Sequence, residues 1–436
     1  MFLIHLLFLL LFPWLVFSWR RWPEAVAVFL ALLPTYLWRG QIGSLPTTWL
    51  ELALYCLVLV FIVKGFWRFR PFNRLNYFIW LVFAAGWLLL GVWGVIVSTD
   101  TRLALGIFKG WLLDPLLWGG LAWVALSVTD NRRVWWHRAI SALLAGATVT
   151  AVSAIWQGLG IVGRLGGWYN SPNVLAMYLL PVGLLSWGWF TLDKQGKLWP
   201  IWFKFGWVSA LFILLWAIIL TGSYTALISL IISLAVWYIL QRWPIKEWRV
   251  ILIVVLCLTG IVLPWLVVNK GSWPWLSHNN SDYAVSSGEV RYVFWREAER
   301  VIVINPWSGI GLGQWQPLFS RVIQPTLREN HQPGFAIEFH YASLFPHNLW
   351  LTVWLFQGLM GVAVLLVWLV ALALADGSEV IITVLSAWLV YGLTDTPLYK
   401  NDLALLFVVL TVAGFTFGTI NHQSATGKLS EKIGYE

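Results

Sequence analysis

Charge is what this sequence has least of. Only 11% of its 436 residues are charged and 60% are hydrophobic, whereas an average soluble domain carries roughly 25% charged residues. A water-soluble globular fold is therefore excluded, and an integral membrane protein is expected. Cysteine is almost absent too. Cys56 and Cys257 each sit inside an apolar run with no metal-type spacing and no partner nearby in sequence, so they point to no thiol chemistry. No basic n-region opens the chain and no small-residue cleavage site precedes Arg20, so the first apolar segment is expected to be retained. Internal repeats and low-complexity tracts are also lacking. The formal charge of +9 would suit a nucleic acid, but the basic residues fall in short strips between apolar runs, which is how membrane-protein loops look. A nucleic-acid partner is set aside.

What the chain has in quantity is long apolar runs. About twenty apolar residues suffice to cross a bilayer as a helix. Candidate spans are read at 2–19, 23–38, 46–63, 76–98, 103–127, 139–160, 173–191, 199–220, 223–241, 250–268, 347–374, 379–394 and 403–420. The first two are short and contain proline, so the expectation is an all-α polytopic protein of 12 or 13 transmembrane helices. Thirty-five tryptophans fit this class, because an indole favours the membrane–water boundary. Trp19, Trp22, Trp38, Trp67, Trp199 and Trp350 lie near expected helix ends and read as interface anchors.

Four basic strips set the expected orientation: Lys64 to Arg74, Arg132 to Arg138, Lys194 with Lys197, and Arg242 to Arg249. They occupy alternate connections, as the positive-inside rule requires of the cytoplasmic face. The complementary connections are then external: the turn around Asp100, residues 160–172, Thr221-Gly222-Ser223, a long polar loop and the stretch from Asp395 to Asp402. This divides the chain into transmembrane helices over 1–268, a long external loop over 269–346, transmembrane helices over 347–420 and a cytoplasmic tail over 421–436.

Unusual polar residues collect on the expected outer face. Arg164 opens a Gly-rich turn ending in Asn170-Ser171-Pro172-Asn173, where Pro172 suits the first turn of a helix and Ser171 or Asn170 a cap. The link Thr221-Gly222-Ser223 reads as a structural corner. Within the long loop, residues 289–304 read as an amphipathic helix with Val290, Phe294, Ala298, Val301 and Ile302 on one stripe, and Arg291, Arg296 and Arg300 off it. Such arginines meet phosphate groups or anionic lipid heads. The following Asn305-Pro306-Trp307-Ser308-Gly309-Ile310-Gly311-Leu312-Gly313 superficially resembles a nucleotide loop, but it lacks the strand context of a dinucleotide fingerprint. The loop closes on Ser343-Leu344-Phe345-Pro346-His347-Asn348, which places a histidine, the side chain suited to proton exchange near neutral pH, where an apolar run begins. Lys109 and Asp114 are intramembrane charges five residues apart that do not share a helical face well. Lys109 points into an external cavity or snorkels to the interface. His278, His331, His340 and His347 have spacings that match no zinc motif, so no metal and no cofactor is expected.

Three of these segments together resemble the O-antigen ligase and polymerase superfamily of bacterial envelope glycosyltransferases. They are Arg164 through Ser171-Pro172-Asn173; Arg291-Tyr292-Val293-Phe294-Trp295 leading to Pro306 and Gly309-Ile310-Gly311; and His347-Asn348 followed by Gln357-Gly358 and Gly361. They occur in the family's order and cover roughly residues 140–375. One departure is Tyr224 after Thr221-Gly222-Ser223, where the family often has arginine.

The resemblance implies a GT-C-like fold and transfer of a glycan from a polyprenyl diphosphate carrier to an acceptor hydroxyl. This would occur at the periplasmic face of the bacterial cytoplasmic membrane, without metal. It implies that Arg164 and Arg291 engage the donor diphosphate and that His347 is the catalytic base or orients the acceptor hydroxyl. Asn173, Arg296, Arg300, Lys109 and Asn348 complete the candidate set as substrate-binding positions. The acceptor is a lipid, a protein or a glycan, which leaves ligase and polymerase both open. Tyr391-Gly392-Leu393-Thr394-Asp395 is also similar to cyanobacterial members linked to inorganic carbon uptake, so transport of a small anion such as bicarbonate is the alternative outside transfer.

Overall fold

The computed structural model describes residues 2–42, 45–159, 163–192, 200–243, 246–269, 287–329, 344–375 and 379–433. The chain is an all-α polytopic membrane protein. Its elements are α1 (Phe2–Arg20), α2 (Trp22–Val28), a two-stranded hairpin of β1 (Arg39–Ile42) and β2 (Leu45–Thr48), α3 (Trp49–Val63), α4 (Arg74–Ile96), α5 (Thr101–Val128), α6 (Arg132–Gly158), α7 (Pro172–Leu192), α8 (Ile201–Leu220), α9 (Tyr224–Arg242) and α10 (Lys246–Asn269). Then come α11 (Ser287–Ile304), α12 (Trp315–Leu318, prolonged by Phe319–Ile323 and Gln324–Glu329), α13 (Leu349–Leu374), α14 (Glu379–Gly392) and α15 (Asn401–Ile433). Among the described residues, nine helices are long and apolar enough to cross a membrane: α4 to α10, α13 and the first part of α15. Trp22–Leu37, α3 and α14 are shorter apolar helices.

The short spans have local causes. After α2 the chain tightens into a 3-10 helix over Phe29–Leu37, which contains Pro34. That winding rises about 2.0 Å per residue rather than 1.5 Å, so the segment reaches further than its length suggests. Helix α5 contains a π-helical stretch at Phe108–Leu113. The wider turn brings positions five apart nearer to one face than an α-helix does, which corrects the expectation for Lys109 and Asp114. Both meet α3, where Glu51 and Tyr55 stand four residues apart: Lys109 Nζ is 2.8 Å from Glu51 Oε2, and Tyr55 Oη donates to Asp114 Oδ1 at 3.0 Å.

The tryptophan expectation is also corrected in part. Trp19, Trp38 and Trp67 are exposed, but Trp22 and Trp350 are buried; Trp199 lies outside the described residues. Trp22 Nε1 donates to Leu57 O at 3.0 Å, Trp14 Nε1 to Ala53 O at 2.9 Å and Trp135 Nε1 to Pro23 O at 2.7 Å. In these places the indole is a staple between helices, because a buried N–H needs an acceptor and a helix exposes few other groups.

The stretch after α14, expected on the external side, is packed into the protein: Asp395 through Tyr399 is buried. A buried loop persists only if its backbone groups are paired, and here side chains from elsewhere do the pairing. Asn348 Nδ2 donates to Leu393 O at 3.0 Å, Arg291 Nε to Thr394 O at 2.8 Å and Trp388 Nε1 to Pro397 O at 3.1 Å. Two residues of the expected site thus organise this connection. Helix α15 also runs on past the expected boundary at 420, to Ile433.

Candidate functional site

His347 is built into place by its backbone. It has φ +55°, an unusual conformation for a residue other than glycine and one that histidine tolerates better than most. Asn348 follows as the N-cap of α13, accepting the Leu351 N–H at 3.0 Å. Asn348 is fully buried and its amide also serves the Leu393 carbonyl, so its partners in the fold are protein groups. The His347 ring stacks on Phe294 of α11 with centroids 5.8 Å apart and planes 12° apart, and its carbonyl accepts from Trp295 Nε1 at 3.3 Å.

His347 Nδ1 lies 3.3 Å from Asp395 Oδ1, and the Thr396 N–H donates to the same oxygen at 2.9 Å. Burial alone would raise the Asp395 carboxyl. The neighbouring His347 and Arg291 and the Thr396 N–H outweigh it, and together hold it below the ordinary carboxylate value. A carboxylate on Nδ1 fixes the ring's orientation and directs basicity to Nε2.

Arg164 reaches the same end of the bundle from the turn before α7. Its Nε donates to Thr221 O at 2.9 Å and its Nη2 to Asn173 Oδ1 at 2.7 Å. Tyr391 connects this side to the histidine side. Its hydroxyl donates to Asn173 O at 3.0 Å and contacts Ser223 Oγ at 2.9 Å, while Arg164 and Arg291 both act on it electrostatically. Ser223 caps α9 and Thr225 Oγ1 meets Thr394 Oγ1 at 3.0 Å, so the Thr221-Gly222-Ser223 corner is structural and also abuts the site. The turn is latched from below by Tyr169 Oη, which donates to Asp402 Oδ2 at 2.6 Å. Beside Arg164 opens a cleft of about 710 Å³, lined by Gln157, Leu159, Asn170, Trp216 and Leu220 among others.

The structure thus brings together Arg164, Asn173, Arg291, His347 and Asn348. It engages the other candidates elsewhere. Lys109 pairs with Glu51 and bonds Pro46 O at 3.1 Å. Arg296 and Arg300 share one buried carboxylate, Glu297, at 2.8 Å and 3.1 Å. His278, His331 and His340 lie outside the described residues. Sequence reasoning left Tyr391 and Asp395 out of the candidate set. The signal was an acidic residue four positions after a tyrosine at the close of an apolar run, and nothing in the chain itself ties that run to His347.

The class defined so far is a polytopic helical membrane protein with two arginines and a histidine–aspartate pair gathered at one end of its bundle. Residues 209–366 match the family model described as O-antigen ligase. The match runs from α8 into α13 and takes in Arg291, His347 and Gly358. It supports membership of the O-antigen ligase and polymerase superfamily, and with it an enzyme of that type. No curated protein matches the chain.

Proposed function

We propose that the protein transfers a glycan from a polyprenyl diphosphate carrier to an acceptor hydroxyl at the periplasmic face of the bacterial cytoplasmic membrane. The observation that carries this reading is the convergence of Arg164 and Arg291 with the His347–Asp395 pair around one buried connection. The acceptor oxygen attacks the anomeric carbon, and the bond from that carbon to the carrier phosphate breaks. The electron pair leaves with the polyprenyl diphosphate, and the acceptor proton passes to His347 Nε2. Guanidinium groups stabilise the charge that develops on the departing diphosphate. General-base help of this kind is worth roughly 10² to 10⁴ in rate. A carrier whose tail stays among lipids while its head group lies in water calls for a site at a membrane boundary. Asn348 is then a positioning residue, because it caps the helix that follows His347 and fixes Leu393.

The test compares carrier-linked glycans by mass spectrometry in cells with the wild-type protein, cells lacking it and cells with His347→Ala. Accumulation of the same carrier-linked glycan in both mutants is expected. If neither accumulates one while the variant is present at wild-type level, the transfer reading is lost.

A further inference from the structure

Helix α13 is interrupted once, at Gly358, where φ is +70° and ψ is −172°. In an unbroken α-helix the Leu359 N–H would donate to the Leu355 carbonyl. Here both halves of that bond are taken by the segment after α11: Leu355 O accepts from the Ile310 N–H at 2.6 Å, and the Leu359 N–H donates to Pro306 O at 3.0 Å. Trp354 Nε1 adds a second bond to Pro306 O at 2.8 Å. The backbones are too close for side chains. A Cβ on Gly358 would lie 1.8 Å from Trp307 O, and one on Gly309 would lie 2.4 Å from Leu355 O. Of the glycines that superficially suggest a nucleotide loop, Gly309 serves this insertion of loop into helix, whereas Gly311 packs against Gly94 and Ser98 and Gly313 against Leu103 and Ile107.

We infer that this junction is a positioning device for the transfer site. It locks α11, which carries Arg291, to α13, which His347 and Asn348 precede. The inference rests on the proposed transfer reading for its chemistry. Helix α11 is attached to α13 at two levels: Trp295 on the His347 carbonyl, and Pro306 and Ile310 on the Gly358 break. The attachment points are about a dozen residues apart on each chain segment, roughly 17 Å at 1.5 Å per residue. Matched lengths keep α11 alongside α13 without slack, so the spacing of Arg291 and His347 is set by the Trp295 bond at one end and the backbone bonds of the Gly358 break at the other. Trp354, Gly358 and Pro306 thus act on the reaction through Arg291 and His347 without touching substrate.

Trp354→Phe keeps the ring and removes one bond to Pro306, whereas Gly358→Ala forbids the insertion. In the solubilised full chain, hydrogen exchange read by mass spectrometry is expected to show protected amides at Ile310 and Leu359, with faster exchange in Trp354→Phe. Transfer from a carrier-linked donor in membranes is expected to fall about fivefold in Trp354→Phe at wild-type protein level, and to near background in Gly358→Ala. In an Arg291→Lys background, Trp354→Phe should cost much less than fivefold, because both changes act through one group. Equal losses in the two backgrounds would overturn positioning in favour of general destabilisation. Fast exchange at both amides in the wild type would overturn the junction itself. Wild-type protein that transfers nothing while both amides are protected would overturn the transfer reading and leave the junction standing.

Discussion

The polar groups around Lys109 and those around Arg164 treat their cations differently. Around Lys109 the ammonium faces a buried carboxylate, Glu51, which is also bonded by the Thr48 N–H as part of the capping box of α3. The same holds for Arg296 and Arg300 on Glu297. Around Arg164 the bonds go to neutral oxygens, the Thr221 carbonyl and the Asn173 amide. A carbonyl orients a guanidinium without neutralising it, so its attraction for an anion survives. A carboxylate at 2.8 Å spends that attraction within the protein. A cation at a protein–lipid boundary therefore signals a ligand only when its partner is known, and sequence position alone treats Lys109 and Arg164 alike.

The comparison breaks most readily at Arg164. Arg164→Ala is expected to lower transfer about 10² to 10³-fold, the loss typical of removing one stabiliser of developing negative charge. Arg164→Lys keeps the charge but not the planar fork that meets Thr221 and Asn173 together, and is expected to lose about tenfold. Initial rates with a purified carrier-linked donor measure both. A variant within twofold of wild type at Arg164→Ala would remove Arg164 from the site.

A smaller effect, of a different kind, is expected at Lys109. Lys109→Met should leave transfer within about twofold and lower folding stability by about 2 kcal/mol, because Glu51 stays buried while Lys109 is one-third exposed and partly screened. Thermal unfolding in detergent, run beside the transfer assay, separates the two. Loss of transfer with unchanged unfolding would return Lys109 to the substrate.

The fold was largely legible from apolar run length, because a helix in lipid must satisfy its own backbone and so declares itself as an unbroken apolar segment. The expected spans at 76–98 and 173–191 and the amphipathic helix at 289–304 appear as α4, α7 and α11. Two features escaped. The π-helical stretch in α5 carries no compositional mark, so the facing of Lys109 and Asp114 towards α3 was read wrongly. The buried connection after α14 looks in sequence like any polar link, since what pairs its carbonyls comes from Asn348 and Arg291, distant in the chain. The arginines and the histidine were visible as residue types in unusual places. Tyr391 and Asp395 were visible only through a likeness to carbon-uptake members, because their roles beside Asn173 and His347 exist only through those distant partners.

The smallest effect sharpens the comparison on the neutralised side. Glu299 stands on α11 beyond Glu297, and its Oε1 is buried without a hydrogen-bond partner. Burial pushes its carboxyl up to about 7 from the ordinary 4.5. The folded state then binds more protons than the unfolded chain between about pH 4.5 and 7, so stability falls as pH rises through that window and the loss is complete above it. Glu299 is half-buried, so screening limits the penalty to about 1 kcal/mol. Glu299→Gln should abolish that slope, unfolding at a slightly higher temperature than wild type at pH 8 and at a similar one at pH 4. Glu297→Gln, which removes the carboxylate that two arginines hold, should by contrast lower stability at pH 8. Unfolding curves of both variants across pH 4 to 8 would separate a carboxylate that neutralises a cation from one that does not, which is the distinction drawn between the clusters of Lys109 and Arg164.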